Sequence, residues 1–255
     1  MMEMVHMLTS FRGLAAATTA LLAVSVASTA QAQDTAPPSD LEVSGEVALV
    51  TDYRFRGVSL SAGDPAIQGG IEVAHSSGFY VGTWGSSIDG GPLYGEVELD
   101  FYAGYTTEIA SGLTIDVGGL YYAYPANDFG PAEYFEAYGS VGFLIGPAEA
   151  EVGIAYAPDQ ESLGDEDNLY LYTDLTAGIP TTPLSVSAHL GYTDGSLAPD
   201  LLAGGTDGNG FDWSIGASAP VLGDLTLGVS YIGVDGTSVD GLTDDTVVGT
   251  LSLSF

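Results

Sequence analysis

Two arginines two residues apart, Arg54 and Arg56, are the side chains whose type and spacing most clearly indicate chemistry. They lie in the segment TDYRFRGVSLS (51–61) beside Asp52, in a chain with three arginines, no lysine and 34 Asp and Glu residues. An arginine can bind a carboxylate through two parallel hydrogen bonds. Two interpretations stay open: the pair clamps acidic side chains of the fold, or it orients a passing solute or constricts its path.

The excess of carboxylates gives a formal net charge of -31. Nucleic-acid binding requires a basic surface, because phosphates are repelled by negative charge. The composition therefore excludes nucleic acid as a partner. The sequence contains no cysteine, which excludes disulfides, thiolate metal sites and thiol nucleophiles.

Few other residues could do catalysis or bind a metal. Ser187 and His189 share a face of a predicted strand and suggest a hydrolase, but no acid partner follows from the spacing. The loop DEDNLY, from Asp165, lacks the glycine and the distant glutamate of a calcium loop. We predict no enzyme, no cofactor and no built metal site. The acidic loops could hold divalent cations only loosely.

The elements that carry these side chains are predicted from apolar residues at every second position, which is typical of strands with one apolar face. In LSVSAHLGY (184–192), apolar residues alternate with serine, histidine and glycine. The same pattern predicts twelve strands, near 41–55, 66–75, 79–88, 94–108, 113–124, 133–145, 148–156, 169–178, 184–192, 209–218, 225–233 and 244–255.

The connections between these strands alternate between compact turns and mostly longer, acidic loops. An even number of strands of about ten residues, with short turns at one end and long loops at the other, is typical of bacterial outer-membrane barrels. A sheet in hydrocarbon must close, because unpaired backbone groups cannot stay there. We therefore predict an all-β fold, an up-and-down antiparallel transmembrane barrel over 41–255.

The first residues are predicted to be an export signal. Arg12 precedes an apolar run, and Ala30-Gln31-Ala32 is a small-residue cleavage site. A membrane anchor is the competing interpretation, but a bilayer span needs about 20 strongly apolar residues and this run is short and alanine-rich. We expect a signal peptide over 1–32, removed at Gln33, and a short disordered segment over 33–40.

Strand parity divides the charged and aromatic residues between two faces. Charged residues on the inward parity are predicted to line the interior: Glu46, Asp52, Arg54, Arg56, Glu72, Glu96, Glu98, Asp100, Asp116, Glu136, Glu151, Asp174 and Asp212. Aromatic residues on the outward parity are predicted to form girdles at the two membrane interfaces: Tyr53, Phe55, Phe79, Tyr105, Tyr121, Phe143, Tyr156, Tyr192, Phe211, Tyr231 and Phe255. The parity of strand 79–88 stays open.

The run VTDYRFRGVSLSAGDPAIQGGIEVAHSSGFYVGTWGSSID (50–89) resembles the start of the TorF-like family of proteobacterial porins, and the similarity extends to the last strand. This resemblance implies an outer-membrane barrel with pore activity and brings no catalytic or ligand residues. The terminal TLSLSF is similar to the last strand through which the barrel-assembly machinery recognises outer-membrane proteins.

These observations predict a protein of the bacterial outer membrane, surrounded by outer-membrane lipid. Rings of Asp and Glu favour cations in pores, so we expect a narrow channel, weakly cation-preferring, for passive diffusion of ions or small solutes. The alternative is a non-conducting barrel with a structural or surface-interaction role through its acidic loops, because filled barrels also have polar interiors.

Overall fold

The structure, a computed structural model, describes residues 40–128 and 130–255. The predicted signal peptide and residues 33–39 of the predicted disordered segment lie outside the described residues. The helices within the described ranges are too short to cross a bilayer.

Twelve long strands form one closed antiparallel sheet, and their number agrees with the prediction. They are β1 (Leu41–Val50), β4 (Ala66–His75), β5 (Phe79–Ser87), β6 (Val97–Ala110), β7 (Leu113–Ala123), β8 (Tyr134–Ile145), β9 (Ala148–Gln160), β10 (Glu166–Gly178), β11 (Ser185–Gly195), β12 (Asn209–Leu222), β13 (Leu225–Val234) and β14 (Thr246–Ser254). Two short strands, β2 (Arg54–Phe55) and β3 (Val58–Ser59), form a separate hairpin. Short helices are α1 (Gly91–Tyr94), α2 (Pro199–Leu202) and a 3-10 turn at Glu161–Leu163.

The barrel closes where the first strand meets the last. β1 pairs with β14 from Glu46 opposite Ser254 to Val50 opposite Thr250, and on its other edge it pairs with β4. Every other long strand pairs with its neighbours in sequence. This closure leaves no free sheet edge, as a sheet within hydrocarbon requires.

The two ends of the barrel differ as the sequence predicts. Short turns at one end join the strand pairs β4–β5, β6–β7, β8–β9, β10–β11 and β12–β13. The connections at the other end, which we call the loop end, span 51–65, 88–96, 124–133, 161–165, 196–208 and 235–245, and all except 161–165 are longer than any of these turns. Each of the loop-end connections carries at least two carboxylates, and none carries an exposed arginine.

The first connection turns into the barrel and corrects the predicted first strand, which ends at Val50 and not near residue 55. We call residues 51–65 the inward loop. All residues from Asp52 to Ser59 are buried. Arg56 and Gly57 have φ of 49° and 79°, which is the geometry of a two-residue hairpin turn. The β2–β3 hairpin thus places its turn inside the barrel.

Inward tyrosines lie opposite glycines of neighbouring strands. Tyr80 is paired with Gly104 and Tyr138 with Gly118, while Tyr172 lies between Gly153 on β9 and a glycine on β11. A Cβ atom added to any of these three named glycines would collide with the tyrosine ring opposite. The glycines therefore make the space in which the rings lie across the interior wall.

Candidate functional site

The barrel interior contains most of the charged residues predicted to line it. Nine are buried there: Asp52, Arg54, Arg56, Glu72, Glu98, Asp100, Asp116, Glu136 and Asp212. Glu46, Glu151 and Asp174 are half-buried on inward-facing positions of their strands. The prediction for Glu96 is wrong, because this residue precedes β6 and its side chain is exposed. Whether the other twelve line an open pore stays a prediction.

The outward aromatic assignment needs one correction. Tyr53 and Phe55 are buried inside the barrel, where Tyr53 packs on Trp84 and Phe55 on Tyr122 with ring centroids 5.5 and 5.8 Å apart. The alternation of β1 does not continue into the inward loop, and so it does not predict their direction. The remaining nine lie on the outer face of the sheet at exposed or half-exposed positions: Phe79, Tyr105, Tyr121, Phe143, Tyr156, Tyr192, Phe211, Tyr231 and Phe255. Their role as girdles stays a prediction.

Arg54 holds the inward loop together and also binds it to the last loop-end connection, 235–245. Its Nε donates to Asp52 Oδ2 at 2.5 Å, and its Nη2 donates to Asp244 Oδ1 at 3.1 Å. Its Nη1 donates to the backbone oxygens of Gly57, Leu242 and Asp244. Every nitrogen of this guanidinium therefore has a partner, and the residue acts as a structural anchor.

Arg56 reaches across the interior to β8. Its Nη2 donates to both oxygens of Glu136, at 3.0 and 2.8 Å, and the hydroxyl of Tyr122 donates to the same carboxylate at 2.9 Å. The guanidinium carbon lies 4.7 Å from the ring centroid of Phe55 and 4.2 Å from that of Tyr170. Ring faces at this distance attract the guanidinium cation. Nε and Nη1 have no partner.

His189 belongs to a second polar cluster. Its Nδ1 lies 2.7 Å from Asp174 Oδ1, while its Nε2 lies 3.0 Å from Asp212 Oδ1 and 2.8 Å from the hydroxyl of Tyr170. Both ring nitrogens are therefore engaged by residues other than Ser187. This geometry does not support the hydrolase hypothesis, because a nucleophile needs a base within hydrogen-bond reach.

Several interior residues are missing from the predicted set because they carry no charge. Tyr80, Trp84 and Tyr138 face the interior, and the hydroxyl of Tyr80 donates to Asp116 Oδ1 at 2.6 Å. The segment FYVGTWGS has aromatic residues on both parities, so its direction could not be predicted. The two tyrosines could have been predicted as interior residues from the ability of their hydroxyl groups to hydrogen-bond to interior carboxylates.

At the loop end, Asp200 joins two connections. It accepts hydrogen bonds from the side-chain hydroxyl and backbone N–H of Thr237 and from the backbone N–H groups of Thr206 and Asp207. These bonds, led by the Thr237 hydroxyl, hold the pKa of Asp200 well below its usual range. In residues 40–128 and 130–255 there is no group of three or more His, Asp or Glu side chains arranged to hold a metal ion.

Residues 34–255 match a family described as "Bacterial protein of unknown function (Gcw_chp)". The chain belongs to this family. No sequence match was found among curated proteins. The name of the family describes no activity, so evidence about this Gcw_chp barrel comes from its structure.

Two solved porins have the same fold as this Gcw_chp barrel. The NanC porin is 10% identical with a TM-score of 0.56, and the alignment covers 84% of this chain and 99% of that one. The KdgM porin, solved in complex with disordered oligogalacturonate, is 8% identical with a TM-score of 0.54, covering 84% and 97%. At this identity the similarity shows the fold alone.

The outer surface of the Gcw_chp barrel is apolar. Exposed side chains at every second strand position include Ile67, Val81, Leu171, Ile215 and Val229. A closed sheet with an apolar exterior is stable in a bilayer and unfavourable in water. The protein is therefore an outer-membrane β-barrel of a bacterium, and the acidic interior described above is enclosed within the membrane.

Proposed function

We propose that this barrel is a narrow, weakly cation-preferring channel for passive diffusion of ions or small solutes. The observation that carries the proposal is the charge of the interior. Both buried arginines are bonded to carboxylates, whereas Glu72, Asp116 and Glu151 form no ion pair among the described residues. Carboxylates that face a pore attract cations.

Barrel size supports a narrow passage. Barrels of about eight strands are filled by side chains, and those of sixteen or more enclose an open channel. Twelve strands lie between these limits, and the inward loop occupies part of the interior at the loop end. We propose that the inward loop is the constriction of the channel.

The acidic interior also limits the solutes that suit this barrel. Oligogalacturonate, present in the KdgM complex, is a chain of sugar acids. An interior dominated by carboxylates would repel such a polyanion. We therefore propose cations or small neutral solutes as permeants. The resemblance of residues 50–89 to TorF-like porins agrees with a channel function. The proposal includes two further points: the barrel-assembly machinery recognises the last strand, and the protein has no enzymatic activity.

A second candidate, a non-conducting barrel, is favoured by one observation. Side chains beneath the inward loop are almost fully buried, with exposures of 0% for Tyr122 and 1% for Glu136. Close packing of this kind would block ions if it extended across the whole section of the barrel. The acidic loops would then serve a structural role or a surface interaction.

Planar-bilayer recording separates the two candidates. The mature chain, refolded and inserted, is expected to give discrete conductance steps, and a KCl gradient is expected to give a cation-preferring reversal potential. A silent bilayer, with heat-modifiable migration proving that the barrel has folded, would support the non-conducting candidate. An anion-preferring reversal potential would contradict the argument from interior charge.

A variant without the inward loop gives the matched comparison. Replacement of residues 53–63 by a short Gly-Ser turn should leave the wall strands intact, because the long strands pair with one another and not with the β2–β3 hairpin. If the loop is the constriction, conductance per step should rise at least about twofold, as the open section widens. Unchanged conductance in a folded variant would move the constriction elsewhere.

A further inference from the structure

Two carboxylates of β6 are buried side by side at the loop end. Glu98 and Asp100 are two residues apart in one strand and face the interior together, with exposures of 1% and 4%. Each has an oxygen without a hydrogen-bond partner, Glu98 Oε2 and Asp100 Oδ1. Two buried acceptors on successive inward positions of one strand are thus left without a hydrogen bond.

The protein supplies no counter-ion to this pair. Arg56 is bonded to Glu136, and Arg54 is bonded to Asp52 and Asp244. Neither Glu98 nor Asp100 takes part in an ion pair within the described ranges, and the chain has no lysine. Burying a carboxylate without a compensating partner is costly. A cation from outside the chain would remove this cost.

Aromatic residues occupy the positions next to Asp100 on both neighbouring strands. Asp100 is paired with Trp84 of β5 on one side and with Tyr122 of β7 on the other. Tyr53 of the inward loop packs on Trp84 at 5.5 Å, and its buried hydroxyl has no partner.

We propose that Glu98 and Asp100, with the rings of Trp84, Tyr53 and Tyr122, form a binding site for a small organic ammonium cation. Carboxylates neutralise the charge of such a cation, and ring faces attract its alkylammonium surface. A divalent metal fits less well, because no third His, Asp or Glu completes a metal-binding group within residues 40–128 and 130–255. This inference rests on the proposed channel function only for access of the cation from one mouth of the barrel, which a barrel that does not conduct can also give.

Binding can be measured without conductance. The chain has two tryptophans, and Trp213 lies on the outer face against Tyr231. The Trp213→Phe variant therefore leaves Trp84, at the proposed site, as the single tryptophan, whose emission can be excited selectively at about 295 nm. Titration of the refolded variant with choline chloride should give a saturable change in Trp84 fluorescence, whereas NaCl at equal ionic strength should not.

Charge-removing variants in the same background test the two carboxylates. Glu98→Gln and Asp100→Asn, which keep side-chain volume, should each raise the dissociation constant of choline about tenfold or more. Glu42→Gln is the matched control, because this carboxylate lies at the turn end of β1 and is exposed. Its titration should match that of the background, with heat-modifiable migration verifying the fold of every variant.

Each outcome bears on one of the two proposals. If the folded barrel conducts but Trp84 responds equally to NaCl and choline, or to neither, the ammonium site is wrong and the channel proposal stands. A silent barrel whose Trp84 still responds saturably to choline overturns the channel and supports the site. If neither charge-removing variant folds, the comparison of choline with NaCl in Trp213→Phe alone decides.

Discussion

The two arginines of the inward loop differ in how their donors are used. All nitrogens of Arg54 are bonded, and three of its acceptors are backbone oxygens. Arg56 uses one nitrogen, which bonds to Glu136. The sequence left open whether the pair is a clamp or acts on solutes. The geometry makes both of them clamps, and it leaves only Arg56 with donors that a solute or a water molecule could use.

A double-mutant cycle measures the Arg56 clamp. Arg56→Ala should lower the free energy of unfolding by about 3–5 kcal/mol, because it leaves the carboxylate of Glu136 buried without a partner. In the double variant Arg56→Ala/Glu136→Gln that charge is gone, so more than half of the loss should be recovered. Urea-induced unfolding of the barrel from lipid vesicles, followed by tryptophan fluorescence, gives the four values.

The single variant Glu136→Gln completes the cycle, and Glu42→Gln reports the effect of removing a carboxylate where it is exposed. If the losses of the two single variants simply add in the double variant, Arg56 and Glu136 are not coupled. The clamp would then be wrong, and the position of Arg56 would depend on its rings, Phe55 and Tyr170.

At the scale of the element, alternation predicted strands well and failed where the chain leaves the sheet. It placed Glu72 and Asp116 on the inner face, because both lie within strands that pair on both edges. It also continued through residues 51–55, where apolar and polar residues still alternate although the chain has turned inward. Periodicity reports which face a strand buries, and it carries no information on whether a segment pairs with a neighbour.

Glycines opposite inward tyrosines offer a test at this scale. Gly118→Ala should lower the free energy of unfolding by about 1–3 kcal/mol, the usual cost of overpacking, because its Cβ would overlap Tyr138 and approach the backbone oxygen of Ala103 to 2.7 Å. Gly178→Ala is the matched control, since no atom lies within 4 Å of its Cβ position. Urea midpoints of the refolded variants provide the measurement.

Gly178→Ala should remain within about 0.5 kcal/mol of the parent protein, as ordinary surface substitutions do. If both variants lose the same free energy of unfolding, the conformational entropy of glycine decides the effect, and the space that glycine leaves for the ring does not. The truncation Tyr138→Ala in the Gly118→Ala background should then also fail to restore stability, whereas relief of the collision predicts partial rescue.

At the scale of the whole molecule, the formal net charge is -31, and most carboxylates of the described residues lie at the loop end and in the interior. Charge distributed in this way produces a diffuse field, which attracts cations to the mouth of a channel before any single residue binds them. A diffuse field is screened by salt, whereas a buried site is screened much less. Ionic strength therefore separates selectivity due to the whole molecule from selectivity due to Glu98 and Asp100.

We expect the cation preference to fall with salt. The Debye length is about 10 Å near 0.1 M and about 3 Å near 1 M, so a reversal potential measured at a constant KCl ratio should move toward zero as the mean concentration rises between these values. A reversal potential that does not change would contradict a diffuse origin. If that constant preference is then lost in Asp100→Asn but kept in Glu42→Gln, the carboxylate pair on β6, and not the field of the acidic barrel, selects the ion.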